Sequence, residues 1–115
     1  MPVYKNRETE DAFDICGGHG KLTRDRLLEG DRLGGKLTMC NCNTVEPGGL
    51  LGYHLHDTDN ELYFIIEGKA KYVEDGVEYE LEPGDSAFCA QGSSHSIENV
   101  GDGPMRFVAV IQEAI

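Results

Sequence analysis

Three of the four histidines in this 115-residue chain fall in two short glycine-bounded segments, with a glutamate close by in sequence. His54 and His56 are two residues apart. On a strand, side chains alternate, so both imidazoles leave one face with their backbones about 7 Å apart. That spacing suits neighbouring positions on one metal ion. The polar stretch Asp57-Thr58-Asp59-Asn60 then reverses the chain, and Glu61 opens the next apolar run with its carboxylate turned to the same cavity. A third imidazole comes from His95, which follows the turn Ala90-Gln91-Gly92-Ser93-Ser94. A His-x-His pair by itself is more often a half-buried strand pair than a metal site. The presence of Glu61 and His95 makes it a ligand set for one divalent transition metal ion. His19, in a glycine-rich turn, is expected at the surface.

Three neutral imidazoles and one carboxylate leave a dication with about one unit of positive charge. Mixed nitrogen and oxygen ligation suits Mn, Fe, Zn, Ni, Co or Cu and does not choose among them. An open divalent site polarises a carbonyl or carboxylate, or acidifies bound water. The expected ligands are small anionic oxygen chelators: a dicarboxylate, a 2-oxo acid or a sugar acid. Chemistry on them also needs an acid or base near the metal. Tyr53 and Tyr63 are the candidates, with Cys89 and the carboxamides Asn41 and Asn43 behind them. No motif fixes any of these, so the catalytic residues stay unassigned. Asn41 and Asn43 share a strand face with Leu37, Met39 and Val45. They line a pocket or are strand amides satisfied elsewhere.

Composition narrows the partners. A formal charge of −11, from 10 basic and 21 acidic residues, argues against nucleic acid and anionic membranes, which need clustered Lys and Arg. The longest apolar runs, Leu62 to Ile66 and Phe107 to Ile111, are strand-sized and far short of a membrane span. The acidic N-terminus has no apolar core, which sets the expectation of a cytoplasmic protein. Reduced thiols are then the default for Cys16, Cys40, Cys42 and Cys89. Cys40 and Cys42 point the same way on a strand and read as small strand residues rather than half of a zinc site.

These ligands must be positioned by strands. From Gly35 onward the chain reads as short strands punctuated by turn signals. Leu37 to Val45 ends at Glu46-Pro47-Gly48-Gly49, and Leu51 to His56 and Glu61 to Glu67 flank the polar turn. Glu61 to Glu67 is apolar on both faces and is expected to be buried on both. Asp75-Gly76 suits a type I′ hairpin turn between Lys69–Glu74 and Val77–Glu82. In the second of these Val77, Tyr79 and Leu81 alternate with Glu78, Glu80 and Glu82, the mark of one face in and one face wet. Ser86 to Ala90, His95 to Val100 and Met105 to Gln112 complete an all-β count of about eight antiparallel strands, which calls for a sandwich, barrel or jelly roll. Residues 1–35 are the least patterned. Val3 and Tyr4 are read as an N-terminal edge strand, and Lys21 to Glu29 as a strand or a helical turn.

The spacing also carries a resemblance. Gly48, His54, His56, Glu61 and Gly68 stand at the intervals of the first cupin motif, and Gly84, Gly92, His95 and Asn99 at those of the second, fifteen residues on. Ala90 replaces the proline that usually stiffens the second motif, which bears on loop rigidity rather than ligation. The chain resembles the small single-domain bacterial cupins described as oxalate-decarboxylase-like or mannose-6-phosphate-isomerase-like. That resemblance implies a double-stranded β-helix, the cupin jelly-roll barrel, over residues 36–115. Residues 1–35 become an N-terminal extension packing on the barrel or on a dimer partner. It also implies a homodimer and a metal-dependent enzyme acting on a small oxygenated anion, as a decarboxylase, lyase or isomerase. An iron-dependent dioxygenase and a non-catalytic small-molecule binder are the alternatives. The last is weakened as a regulator because no helix-turn-helix is visible in residues 1–35.

Overall fold

The computed structural model describes residues 2–114. Ten strands follow one another: β1 (Thr9–Phe13), β2 (Lys21–Leu28), β3 (Leu37–Val45), β4 (Leu50–Leu55), β5 (Asp59–Glu67), β6 (Ala70–Glu74), β7 (Val77–Leu81), β8 (Ser86–Cys89), β9 (Ser94–Asn99) and β10 (Met105–Glu113). All pair antiparallel, in a six-stranded sheet of order β1-β2-β3-β10-β5-β8 and a four-stranded sheet of order β4-β9-β6-β7. The two sheets close on each other as a double-stranded β-helix. Among the described residues, no helix is long and apolar enough to cross a membrane.

The core lies between the sheets, where inward residues of alternate strands interdigitate. Ile65, Phe107, Met105, Ala109, Ile97 and Ala70 are fully buried there, with Val45, Leu22, Tyr63 and Tyr72 nearly so. Truncating a buried aromatic such as Phe107 typically costs about 3–5 kcal/mol. Asn99 knots the end of β9 to its surroundings. Its Nδ2 donates to the carbonyls of Val45 and Gly103, and its Oδ1 accepts from the Gly101 amide. Its place in the second motif is therefore structural. Gly68 is confined to glycine because a Cβ there would press on Pro104 and Met105 backbone, at a positive φ of 91°.

Several local readings are confirmed. Asp75 and Gly76 both take positive φ, 49° and 83°, as a type I′ turn requires. Lys21–Leu28 is a strand, paired with β3. Others are corrected. Val3 and Tyr4 form no edge strand: the first strand starts at Thr9, Val3 is exposed, and the Tyr4 ring lies under the Arg32 guanidinium at 3.8 Å. Strand β5 is buried on one face only. Tyr63 and Ile65 point into the core, whereas Leu62, Phe64 and Ile66 stay 36–43% exposed because, among the described residues, no second layer covers the outside of the sheet. On β7 only Leu81 is buried. Val77 and Tyr79 remain about half exposed at the sheet edge, where the facing sheet does not reach them.

Candidate metal centre

Strand alternation places His54 and His56 on one face of β4 and the residue just after it. The four-stranded sheet then brings in His95, since His54 and His95 are cross-strand partners. Glu61 reaches in from β5 of the other sheet, so the site bridges the two layers of the barrel. One ligand atom from each of His54, His56, Glu61 and His95 falls within 4.8 Å of the others. The three imidazole rings stand at 4.7–4.9 Å between centroids, each roughly edge-on to the next. His56, Glu61 and His95 are buried and His54 is half-buried.

The protons decide what this cluster can hold. His54 Nδ1 sits 2.7 Å from the Gly52 carbonyl, His56 Nδ1 2.6 Å from Asp59 Oδ1, and His95 Nδ1 3.0 Å from the Tyr72 hydroxyl. Donation from Nδ1 leaves each Nε2 as a lone pair turned inward. There His56 Nε2 and His95 Nε2 lie 2.9 Å apart, each about 3 Å from Glu61 Oε1. Such a packing of lone pairs is repulsive unless a proton or a cation sits among them. Without a metal the proton takes that place: the Glu61 hydrogen bond, opposed by burial and helped by Asp59, pushes His56 up to about 9. Burial alone would raise Glu61, but the His56 and His95 imidazoles beside it hold it below the usual carboxylate range. His54 has no such partner, and burial pulls it down into the neutral form that coordination needs. The donor set therefore fits a divalent ion.

The turn that carries His95 is tied down without the proline. Gly92 donates its amide to the His56 carbonyl at 2.7 Å, the Gln91 amide donates to Asn60 Oδ1, and the Gln91 side chain donates to the Asp57 carbonyl. Both ligand-bearing turns are thus one hydrogen-bonded unit. Behind His54, the short 3-10 turn Ile15–Gly17 packs directly on β4. A Cβ at Gly52 would collide with the Cys16 carbonyl, and one at Gly18 with the Leu50 carbonyl.

The candidate acid/base groups are placed unevenly. Tyr53 lies on the opposite face of β4 from His54 and is half exposed. Tyr63 is buried and stacks on the His95 ring at 4.9 Å, and burial followed by the Glu61 charge raises its phenol far above the ordinary value. It supports His95 as a neutral hydroxyl. Burial pushes the Cys89 thiol up to about 12, so it too keeps its proton. Asn41 and Asn43 are both buried and point inward, Asn41 level with Ala109 and Tyr63, Asn43 with Phe107 and Ile65. Asn43 Oδ1 has no hydrogen-bond partner. His19 is exposed, as expected, and bridges to Leu50 through its backbone. Asp59, Tyr72 and Glu74 are the site residues that sequence reasoning missed. Asp59 had a local signal, three residues from His56 in the turn. Tyr72 and Glu74 had none, because only the pairing of β6 with β9 carries them to His95.

The cupin domain family profile matches residues 43–111, which contain all four candidate ligands. The chain belongs to the cupin family. It is 33% identical over 98 residues to an oxalate-binding protein of Thermotoga maritima, a match spanning 85% of this chain and 81% of that one. It is 31% identical over 75 residues to the oxalate decarboxylase OxdC of Bacillus subtilis, spanning 61% of this chain and 20% of that protein. Among solved structures, a predicted oxalate decarboxylase from Thermotoga maritima superposes with a TM-score of 0.93 at 30% identity, covering 99% of this cupin and all of that chain.

Proposed function

We propose that this cupin holds one divalent transition metal ion through His54, His56, Glu61 and His95, and binds at it a small anionic oxygen chelator, oxalate or a similar dicarboxylate first among them. The observation that carries this is the set of three Nδ1–H groups tethered outward, which leaves two Nε2 lone pairs and a carboxylate oxygen about 3 Å apart in a buried cluster. Ligands so oriented lose little freedom on coordinating an ion. When bound, the ion supplies one net positive charge that polarises an oxygen ligand. In the partly desolvated barrel that charge attracts an anion more strongly than it would in water. The half-buried His54 marks the approach for an anion, and the carboxylates that touch the cluster, Glu61 and Asp59, are both already engaged by its histidines. The likeness to an oxalate-binding protein supports a dicarboxylate over a neutral sugar.

Turnover is a second reading, supported by the likeness to an oxalate decarboxylase. The groups in place favour binding, since Tyr63 and Cys89 both hold their protons tightly and Tyr53 faces away. Calorimetric titration of metal-loaded protein with oxalate, a 2-oxo acid, a sugar acid and a neutral sugar tests the proposal, with metal-stripped protein as control. Oxalate binding that vanishes with the metal is expected. Binding unchanged after stripping, or confined to the neutral sugar, overturns it. Carbon dioxide release in the same samples reports decarboxylation. Metal analysis of protein purified without added metal addresses the dioxygenase reading, which requires a redox-active ion.

A further inference from the structure

The three Nδ1 tethers are not equivalent. The Gly52 carbonyl and the Asp59 carboxylate are acceptors, so each obliges its histidine to carry the proton on Nδ1. A tyrosine hydroxyl can donate or accept. Tyr72 alone would let His95 take either tautomer, and the Nε2–H form cannot ligate. The direction is settled one residue further out. The Tyr72 hydroxyl donates to Glu74 Oε1 at 2.6 Å, the short length of a charge-assisted bond, and leaves its lone pairs to His95 Nδ1 at 3.0 Å.

We propose that Glu74 is a positioning residue of the metal centre: by accepting the Tyr72 hydroxyl proton it compels His95 to donate from Nδ1 and to present Nε2 to the metal. This rests on the metal-binding reading above. The elements hold the chain of contacts in place. Tyr72 and Glu74 are two apart on β6, and Glu74 is the cross-strand partner of His95 on β9. The next residue, Asp75, clamps that register by donating its amide to the Ser94 carbonyl and accepting from the Ser94 amide with Oδ1. Tyr72 and His95 are buried, so each proton has few places to go. Remove the Glu74 carboxylate and the hydroxyl turns to donate to His95 Nδ1, which moves the imidazole proton to Nε2, where it blocks coordination. The Glu74 carboxylate hydrogen-bonds to Tyr72 rather than to a ligand, yet it sets the ligand's chemistry.

Zinc affinity, measured by competition with a chromophoric chelator, tests this on Glu74→Ala, Glu74→Gln, Tyr72→Phe and the Glu74→Ala/Tyr72→Phe double variant. Glu74→Ala and Tyr72→Phe are each expected to raise the zinc Kd about tenfold or more, and Glu74→Gln, which keeps an acceptor oxygen, by about threefold or less. On the Tyr72→Phe background, Glu74→Ala should add nothing, since the hydroxyl through which it acts is gone. If the full effect of Glu74→Ala persists on that background, Glu74 acts by its charge alone and the proposal is overturned. Long-range ¹H–¹⁵N spectra of the metal-free proteins supply a readout independent of metal. His95 should gain Nε2–H character in Glu74→Ala and regain Nδ1–H character in Glu74→Gln. Unchanged His95 tautomers in Glu74→Ala refute the proposal whether or not zinc binds. A parent protein that takes up no zinc sinks the metal reading instead, and the tautomer ratios still decide this one.

Discussion

His56 shows how one residue's surroundings choose between a proton and a metal. Its Nδ1 is committed to Asp59 and its Nε2 faces Glu61, so in metal-free protein it holds a proton up to about pH 9. On the proposed metal reading, uptake of the ion would displace that proton. Replacing both His54 and His56 by alanine removes two of the three nitrogens, and metal content after dialysis against zinc should fall to background. Full occupancy in that double variant would refute the site. Glu61→Gln should weaken zinc binding less than either histidine replacement, because an amide oxygen still coordinates but brings no charge. Side-by-side chelator competition of the single variants measures the ranking.

At the scale of elements, the centre depends on how closely the 15–18 turn lies on β4. Gly52 has no Cβ because the Cys16 carbonyl occupies that space, and the same residue's carbonyl holds His54 Nδ1. Gly52→Ala must lift the turn away or shift β4. We expect it to lower stability by about 1–3 kcal/mol, the usual cost of overpacking a tight contact. Zinc affinity should fall with it, since the His54 tether moves. Urea denaturation of metal-free protein and chelator competition measure the two effects. A variant with parent stability would show that the turn is not seated as described. The Ala90 turn makes the complementary point. Four hydrogen bonds to the 56–60 segment, one of them from the His56 amide to the Ser93 carbonyl, hold it where a proline would otherwise supply the stiffness.

For the whole molecule, the outer face of the six-stranded sheet is the feature a single chain does not use. Leu62, Phe64 and Ile66 on β5 and Phe88 on β8 lie side by side, Leu62 directly opposite Phe88, and are 36–51% exposed. Clustered apolar residues on a sheet face are costly in water and are the usual substrate of association. A homodimer, expected from the family resemblance, would cover them. Multi-angle light scattering should then report twice the 12.6 kDa chain mass at micromolar concentration. Phe64→Lys should shift the protein to a monomer while leaving zinc affinity unchanged, because Phe64 points away from the metal centre. A monomeric parent would remove the dimer from the account.

Local spacing was enough to name the four residues that the fold brings together at the candidate metal centre. Side chains on a strand alternate, so His54 and His56 had to share a face, and the glycine punctuation around Glu61 and His95 marked the turns that return the chain to them. The type I′ turn at Asp75-Gly76 and the all-β class were legible for the same reason, since both depend on neighbours within a few residues. Long-range pairing alone decided the rest. That Leu62, Phe64 and Ile66 face solvent while Tyr63 and Ile65 form the core depends on whether a second layer covers the sheet, and no run of residues states its own covering. The link from Glu74 through Tyr72 to His95 likewise exists only because β6 pairs with β9 in one register. A shift of one residue would turn the phenol to the other face and leave His95 without its acceptor.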